Sequence, residues 1–327
     1  MHALPEFILR RPAGLAEAAA MLAAEPASRL IAGGTDLLPN LRRGLERPPV
    51  LIDLSGVAAF NGVEEAADGG ILLGAGLTLA AITTDPVIAK HVPALAEAAR
   101  AAAAPTHRTA ATLGGNLCQD TRCIFYNQSE WWRASNDFCL KRGGKTCHVA
   151  PQGERCHAAF SGDLAPVLMV LDAQVELCSV GNHRWLPLAQ LYRDDGAAHL
   201  TLAPGELLAR VRLPVAAAGR LCAYRKARVR GAIDFPLAGV AVALELEQGH
   251  AVSLAVALSG TNSHPLLLAG VSELMGQVLD DALIAKVAKL VQQQVSPMRS
   301  TTVPSNYRRQ VAAALVQRLL RELALPA

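Results

Sequence analysis

Cys123, Cys139, Cys147 and Cys156 stand in one stretch, Thr121 to Cys156, of a chain with seven cysteines. Thiols pair into disulfides, act as nucleophiles or bind metals. The odd total argues against complete pairing. The N-terminus lacks the basic start and long apolar centre of a signal peptide, so reduced thiols in a cytoplasmic chain are expected. Fifteen, seven and eight residues separate neighbouring members of the set. Zinc knuckles contain a close pair such as C-x-x-C, and bacterial ferredoxins have a tight run of their own; neither occurs here. Such intervals require a folded loop to gather the ligands. His148 and His157 each follow a cysteine. Spacing therefore leaves an iron–sulfur cluster, a mixed zinc site and free thiols open. Phe125, Tyr126, Trp131, Trp132 and Phe138 share the stretch, in a protein with 4% aromatic residues. They are expected either to keep water from a cluster or to form the loop's own small core.

Two glycine pairs offer a second kind of chemistry. AGGTDLL (Ala32 to Leu38) follows an apolar run, and ATLGGNL (Ala111 to Leu117) repeats the device. Paired glycines let backbone N–H groups approach an anion, and Thr35 adds a hydroxyl. Together the loops suit a diphosphate; taken alone, the first reads more simply as an ordinary strand-to-helix turn. Neither is G-x-G-x-x-G, which disfavours a Rossmann site. In SGDLAPVL, Asp163 lies at an expected helix start, where a plain N-cap is the simple reading. YRKARVRGAID supplies Lys226, Arg228, Arg230 and Asp234. These form either a solvated strand edge or a lysine and arginine reaching toward a cofactor.

The elements that must position these groups alternate between strand and helix. Helix is expected at Gly14 to Glu25 and over Leu79 to Ala104, broken near Pro86 and Pro93. Strands are expected at Val50 to Leu54, Ile71 to Gly76 and Leu207 to Leu213, with a helix then a strand over Leu164 to Ser179. Past a linker at Pro214 to Gly219, Val240 to Leu258 reads as a hairpin turning at Gln248 to His250. Val271 to Gln294 and Asn306 to Leu325 read as amphipathic helices. The fold class is α+β with two domains. A net charge of +3 gives no case for nucleic acid or an anionic membrane, and no apolar run reaches membrane-spanning length.

LIAGGTDLL, TAATLGGNL, SGDLAPVLMVLDAQVEL, GELLARVRLP and YRKARVRGAID occur in this order. In that order they resemble the FAD-binding medium subunit of the molybdenum hydroxylase (xanthine oxidase) family, over essentially the whole chain. The resemblance implies a PCMH-type FAD domain over 1–215 and a smaller α+β domain over 220–325, of the CO dehydrogenase flavoprotein C-terminal type. It implies that Leu30, Ile31, Ala32, Gly33, Gly34, Thr35, Asp36 and Leu37 form a first pyrophosphate loop. Thr112, Gly114, Gly115 and Asn116 form the second. Asp163 lies near the flavin and ribityl chain, Leu208 is an apolar flavin contact, and Lys226 lies near the isoalloxazine. Ala102 falls at a flavin-packing position where other members carry a bulky aromatic.

Ordinary members pass from GGN to the D-L-x-P segment through a much shorter interval. Here roughly forty extra residues, about 119–160, contain the four cysteines. This insertion is similar to that of 4-hydroxybenzoyl-CoA reductases, where it holds an additional [4Fe-4S] cluster. The resemblance thus implies Cys123, Cys139, Cys147 and Cys156 as ligands and FAD and [4Fe-4S] as cofactors. It also implies a small subunit with two [2Fe-2S] clusters, a large molybdenum-cofactor subunit and two copies of the three-subunit unit. Electrons would enter from a ferredoxin-like donor and leave toward molybdenum, where 4-hydroxybenzoyl-CoA is reduced to benzoyl-CoA. This chain then needs no acid, base or nucleophile of its own. Arg122, Arg133, Lys141, Arg142 and Lys145 are read either as a docking patch for an acidic donor or as solvated surface. Other readings are an oxidative molybdenum hydroxylase subunit, a zinc-stapled interaction module, and a free-standing NAD(P)H flavin reductase, for which no Gly-rich nicotinamide motif is present.

Overall fold

A small parallel sheet opens the chain: β1 (Ile8–Arg10), β2 (Arg29–Ile31) and β3 (Val50–Asp53), in the order β1-β3-β2. Central β3 carries the apolar run VLID because parallel strands are covered on both faces. The computed structural model describes residues 3–217 and 220–325. The expected linker, Pro214 to Gly219, ends at 218 and 219, outside the described residues. Helices α1 (Leu15–Ala24) and α2 (Leu37–Arg42) connect the strands, and the first glycine pair fills the turn from β2 into α2.

A five-stranded antiparallel sheet follows, built from β4 (Val63–Glu65), β5 (Ile71–Gly74), β6 (Gln174–Ser179), β7 (Asn182–Pro187) and β8 (Leu207–Leu213). Its order is β4-β5-β8-β6-β7. Sequence periodicity leaves the edge strands β4 and β7 unmarked, because both are largely exposed and carry no apolar alternation. Between β5 and β6 lie α3 (Leu79–Thr84), α4 (Pro86–His91), α5 (Pro93–Ala101), α6 (Pro105–Arg108), α7 (Leu113–Leu117), α8 (Glu130–Ala134) and α9 (Leu164–Val170). Pro86 and Pro93 each open a new helix at its first residue. Proline is favoured there because that N–H has no intrahelical partner.

The last sheet contains β9 (Leu221–Ala227), β10 (Ala238–Glu247), β11 (His250–Ser259) and β12 (Leu266–Leu267), ordered β12-β11-β10-β9. Gln248 and Gly249, at φ 50° and 81°, form its expected hairpin turn. Alternation along β10 divides its side chains between two cores. Ala241 and Ala243 join the core that contains α9, while Val240, Val242 and Leu244 join the core that contains α10 (Asp281–Gln294) and α11 (Ser305–Ala324). Alanines on one face bring α9 close to the sheet; branched residues fill the wider gap to the helices opposite.

One expected helix is shorter than its reading. Val271 to Gln294 contains a 3-10 turn, then Gly276 at φ 78°, and the helix begins only after Asp280. The Asp280 carboxylate accepts from Leu283 N–H at 2.8 Å, an N-cap that resets the chain. Among the described residues, no helix is long and apolar enough to cross a membrane.

Candidate functional site

The two glycine loops lie against each other. A Cβ on Gly33 would fall far inside van der Waals contact with the Ala110 carbonyl and 3.0 Å from the Ala111 nitrogen. Gly34 sits at φ 67°, a left-handed conformation that glycine adopts without strain. No group among the described residues accepts from the N–H groups of Gly33, Gly34 or Thr35. In the second loop the Thr112 hydroxyl accepts from Gly115 N–H at 3.1 Å and caps α7. Gly114 N–H donates to the Ala75 carbonyl at 2.7 Å, and Ala75 N–H donates to the Ala209 carbonyl at 3.0 Å. Those two bonds tie the loop to β8, where Leu208 is buried. Asn116 Oδ1 accepts from Leu164 N–H at 3.1 Å and so caps α9. Glycines that admit close backbone contact, beside N–H groups with no protein acceptor, fit a bound diphosphate.

Asp163 begins α9 but makes no cap bond with its side chain. The carboxylate instead accepts from Tyr224 O–H at 2.7 Å and Lys226 Nζ at 3.0 Å. Lys226, its side chain 3% exposed, also donates to the Ala101 carbonyl beside buried Ala102. The solvated-edge reading therefore fails for Lys226, while Arg230, paired with Asp234, is exposed. Tyr224 was not singled out from sequence. Its signal is the strand period: residues 224 and 226 of β9 face the same side. Removing one partner from this buried pair strands the other charge, at a cost of roughly 3–5 kcal/mol. Asp163→Asn and Lys226→Met should each lower stability by about that amount in urea titrations. The double variant should lose less than the sum, because neither charge is then left alone.

The insertion closes on itself. Arg122 and Ala159 exchange both backbone hydrogen bonds at 2.8 Å. Inside this neck Cys123, Cys139, Cys147 and Cys156 are buried and line one cavity, with Phe125, Tyr126, Lys141 and His148 in its wall. The cavity has about 270 Å³ of space between atoms, counting its mouth. None of the seven cysteines is in a disulfide. Burial pushes the Cys156 thiol up to about 12, against the opposing pull of the Ala158 N–H and the Lys141 ammonium. Burial also raises Cys123, against N–H groups of Phe125 and Tyr126 that favour its thiolate. N–H donors aimed at sulfur are what bound thiolates use. Cys156 is also fixed through its backbone: its N–H donates to Asp195 at 3.2 Å, and its carbonyl accepts from Gly196 N–H and the Ser263 hydroxyl. Among the described residues, no three His, Cys, Asp or Glu side chains are placed to share one metal ion. Four thiols on one cavity wall are a donor set that iron–sulfur clusters and zinc sites both use.

A set of charges joins this cavity to the first glycine loop. Asp36, at the start of α2, pairs with Arg122 and accepts from Asp120 N–H at 3.0 Å. Arg122 also donates to Asn40 at 2.5 Å. Burial raises the Asp120 carboxyl, but the Lys141 ammonium and Arg122 outweigh it and hold it below its ordinary range.

Residues 5–216 match the family model of the FAD binding domain in molybdopterin dehydrogenase. Residues 222–323 match that of the CO dehydrogenase flavoprotein C-terminal domain. The chain is a FAD-binding medium subunit of the molybdenum hydroxylase family. It is 33% identical to the FAD-binding subunit of an aldehyde oxidoreductase of Escherichia coli (strain K12), over 73% of this chain and 77% of that one. It is 27% identical to the carbon monoxide dehydrogenase medium chain of Afipia carboxidovorans, over 95% and 94%. A structure of reconstituted CO dehydrogenase from Oligotropha carboxidovorans superposes with a TM-score of 0.81 at 25% identity, covering 99% of this chain and 100% of that one.

In this medium subunit, neither the docking-patch nor the solvated-surface reading holds for Arg122, Arg133, Lys141 and Arg142. Arg122 and Arg133 are buried, the latter donating to the Tyr126 and Gln128 carbonyls. The Lys141 side chain is 7% exposed, and Arg142 donates inward to the Leu45 carbonyl at 2.7 Å. Their charges hold the loop together, and Lys145 alone of the five is exposed. The aromatic residues also divide. Tyr126 and Phe125 pack in the loop's small core, whereas Trp131 is 77% exposed.

Proposed function

We propose that this medium subunit carries FAD and a [4Fe-4S] cluster and passes electrons within a complex of the 4-hydroxybenzoyl-CoA reductase type. The observation that carries the reading is the convergence of four widely spaced thiols on one buried cavity, in an insertion tied to the first glycine loop through Asp36. When bound, the two cofactors supply electron transfer. Leu30 to Leu37 and Thr112 to Asn116 hold the diphosphate of FAD. Asp163, Lys226, Leu208 and Ala102 flank its flavin end. Cys123, Cys139, Cys147 and Cys156 hold the cluster, and Phe125, Tyr126 and His148 keep its cavity closed to water. Four thiolates in a closed site favour the low potential that reductive removal of a phenolic hydroxyl demands.

The substrate site belongs to a partner. A small subunit with two [2Fe-2S] clusters and a large molybdenum subunit complete the unit, in two copies, with a ferredoxin-like donor. A second reading, an oxidative hydroxylase, is favoured by relatives named for aldehyde and carbon monoxide oxidoreduction.

The test is metal analysis of the anaerobically isolated chain, freed from iron-carrying partners. About four irons and four acid-labile sulfides per chain are expected. Zinc without sulfide would reduce the loop to a structural staple. With the whole complex, turnover of 4-hydroxybenzoyl-CoA by a reduced low-potential donor separates the reductase from the oxidative reading.

A further inference from the structure

Lys141 is an unusual wall for a thiol-lined cavity. Its side chain is 7% exposed, and its ammonium donates to Asp120 Oδ1 at 2.5 Å, to the Thr121 carbonyl at 3.1 Å and to the Thr121 hydroxyl. It also lies 4.4 Å from the centre of the Tyr126 ring, whose face attracts a cation. Four contacts from three residues lock a normally flexible side chain in one place. Its side chain lines the same cavity as the four thiols. Folding does not require a cation beside a cysteine: a methionine would fill the same volume, and burying a lysine costs several kcal/mol before its partners compensate. The partner Asp120 is itself held by a backbone bond to Asp36, so the position of the charge is fixed relative to the first glycine loop.

We propose that Lys141 is a positioning residue for redox chemistry: a fixed positive charge that raises the reduction potential of the cluster held by the four cysteines, with Asp120 partly offsetting it. This rests on the [4Fe-4S] reading above. One-electron reduction adds one negative charge to a cluster already made anionic by four thiolates. A buried cation in the cavity wall stabilises that reduced state more than the oxidised one. Asp120 acts with opposite sign. The potential is thus set by two side chains that touch no iron.

The experiment is an anaerobic titration of the complex with dithionite as reductant, following the reduced cluster by electron paramagnetic resonance and the flavin by absorbance. Iron and sulfide are assayed first in every sample. Lys141→Met should shift the cluster midpoint to lower potential, Lys141→Arg should restore most of it, and Asp120→Asn should shift it upward. The flavin midpoint should move less than the cluster midpoint in each. Wild-type complex with only the iron and sulfide of its two [2Fe-2S] clusters would remove the cluster reading itself. Wild-type complex with about eight irons per three-subunit unit, and a Lys141→Met cluster at the wild-type potential, would overturn the tuning role alone. If Lys141→Met fails to retain iron, Asp120→Asn decides: an unshifted or lowered midpoint overturns the proposal, and an upward shift supports it.

Discussion

Gly33→Ala should yield a folded chain that retains almost no FAD. The added methyl would overlap the Ala110 carbonyl, a backbone group with no rotamer to change. Relief requires the two glycine loops to part, and their mutual distance is what suits them to one diphosphate. Overpacking of this kind costs about 1–3 kcal/mol, and contact with backbone places it at the upper end. About 3 kcal/mol corresponds to roughly 100-fold weaker binding. The measurement is flavin absorbance per chain after purification, then a titration of the apoprotein with FAD. Gly56→Ala is the control, since its Cβ would meet nothing within 4 Å and should leave affinity unchanged. Wild-type affinity in Gly33→Ala would mean that the loops are not the diphosphate site.

The second large effect concerns the cluster. Alanine at Cys123, Cys139, Cys147 or Cys156 should remove most of the iron and sulfide, because each thiol faces the same closed cavity and no spare thiol lines it. Cys118 adjoins the set in sequence but follows α7 and lies outside the cavity wall. Cys118→Ala should therefore keep the full complement. FAD content should stay near wild type in all five variants, since the glycine loops meet through their own backbone. Iron retained in Cys139→Ala, or lost in Cys118→Ala, would require a different ligand set.

Several parts of this architecture are legible in the residues themselves. Apolar runs mark β3 and β8, prolines cut the helical stretch after Leu79, and a Gln-Gly turn closes the β10–β11 hairpin. These signals are local: each depends on backbone preferences or side-chain alternation within a few residues. The glycine pairs were visible for the same reason, and so was the grouping of four cysteines in one insertion.

What sequence did not reveal was which charges turn inward. Lys141, Arg142 and Arg133 look like a surface patch when read along the chain, as Lys226 looks like a solvated edge. Their partners are Asp120, the Leu45 carbonyl, the Tyr126 carbonyl and Asp163. The Lys226 and Arg142 bonds join segments far apart in sequence. Those of Lys141 and Arg133 form only once the insertion has folded, so no local propensity encodes them. Most of the α+β elements, the two glycine loops and the four thiols can be read along the chain, while the edge strands β4 and β7 cannot. That the loops touch at Gly33, that the thiols share a cavity and that a lysine is buried in its wall follows from the fold alone. Burial of a charge depends on whether distant groups can replace its water, and only the folded chain brings those groups together.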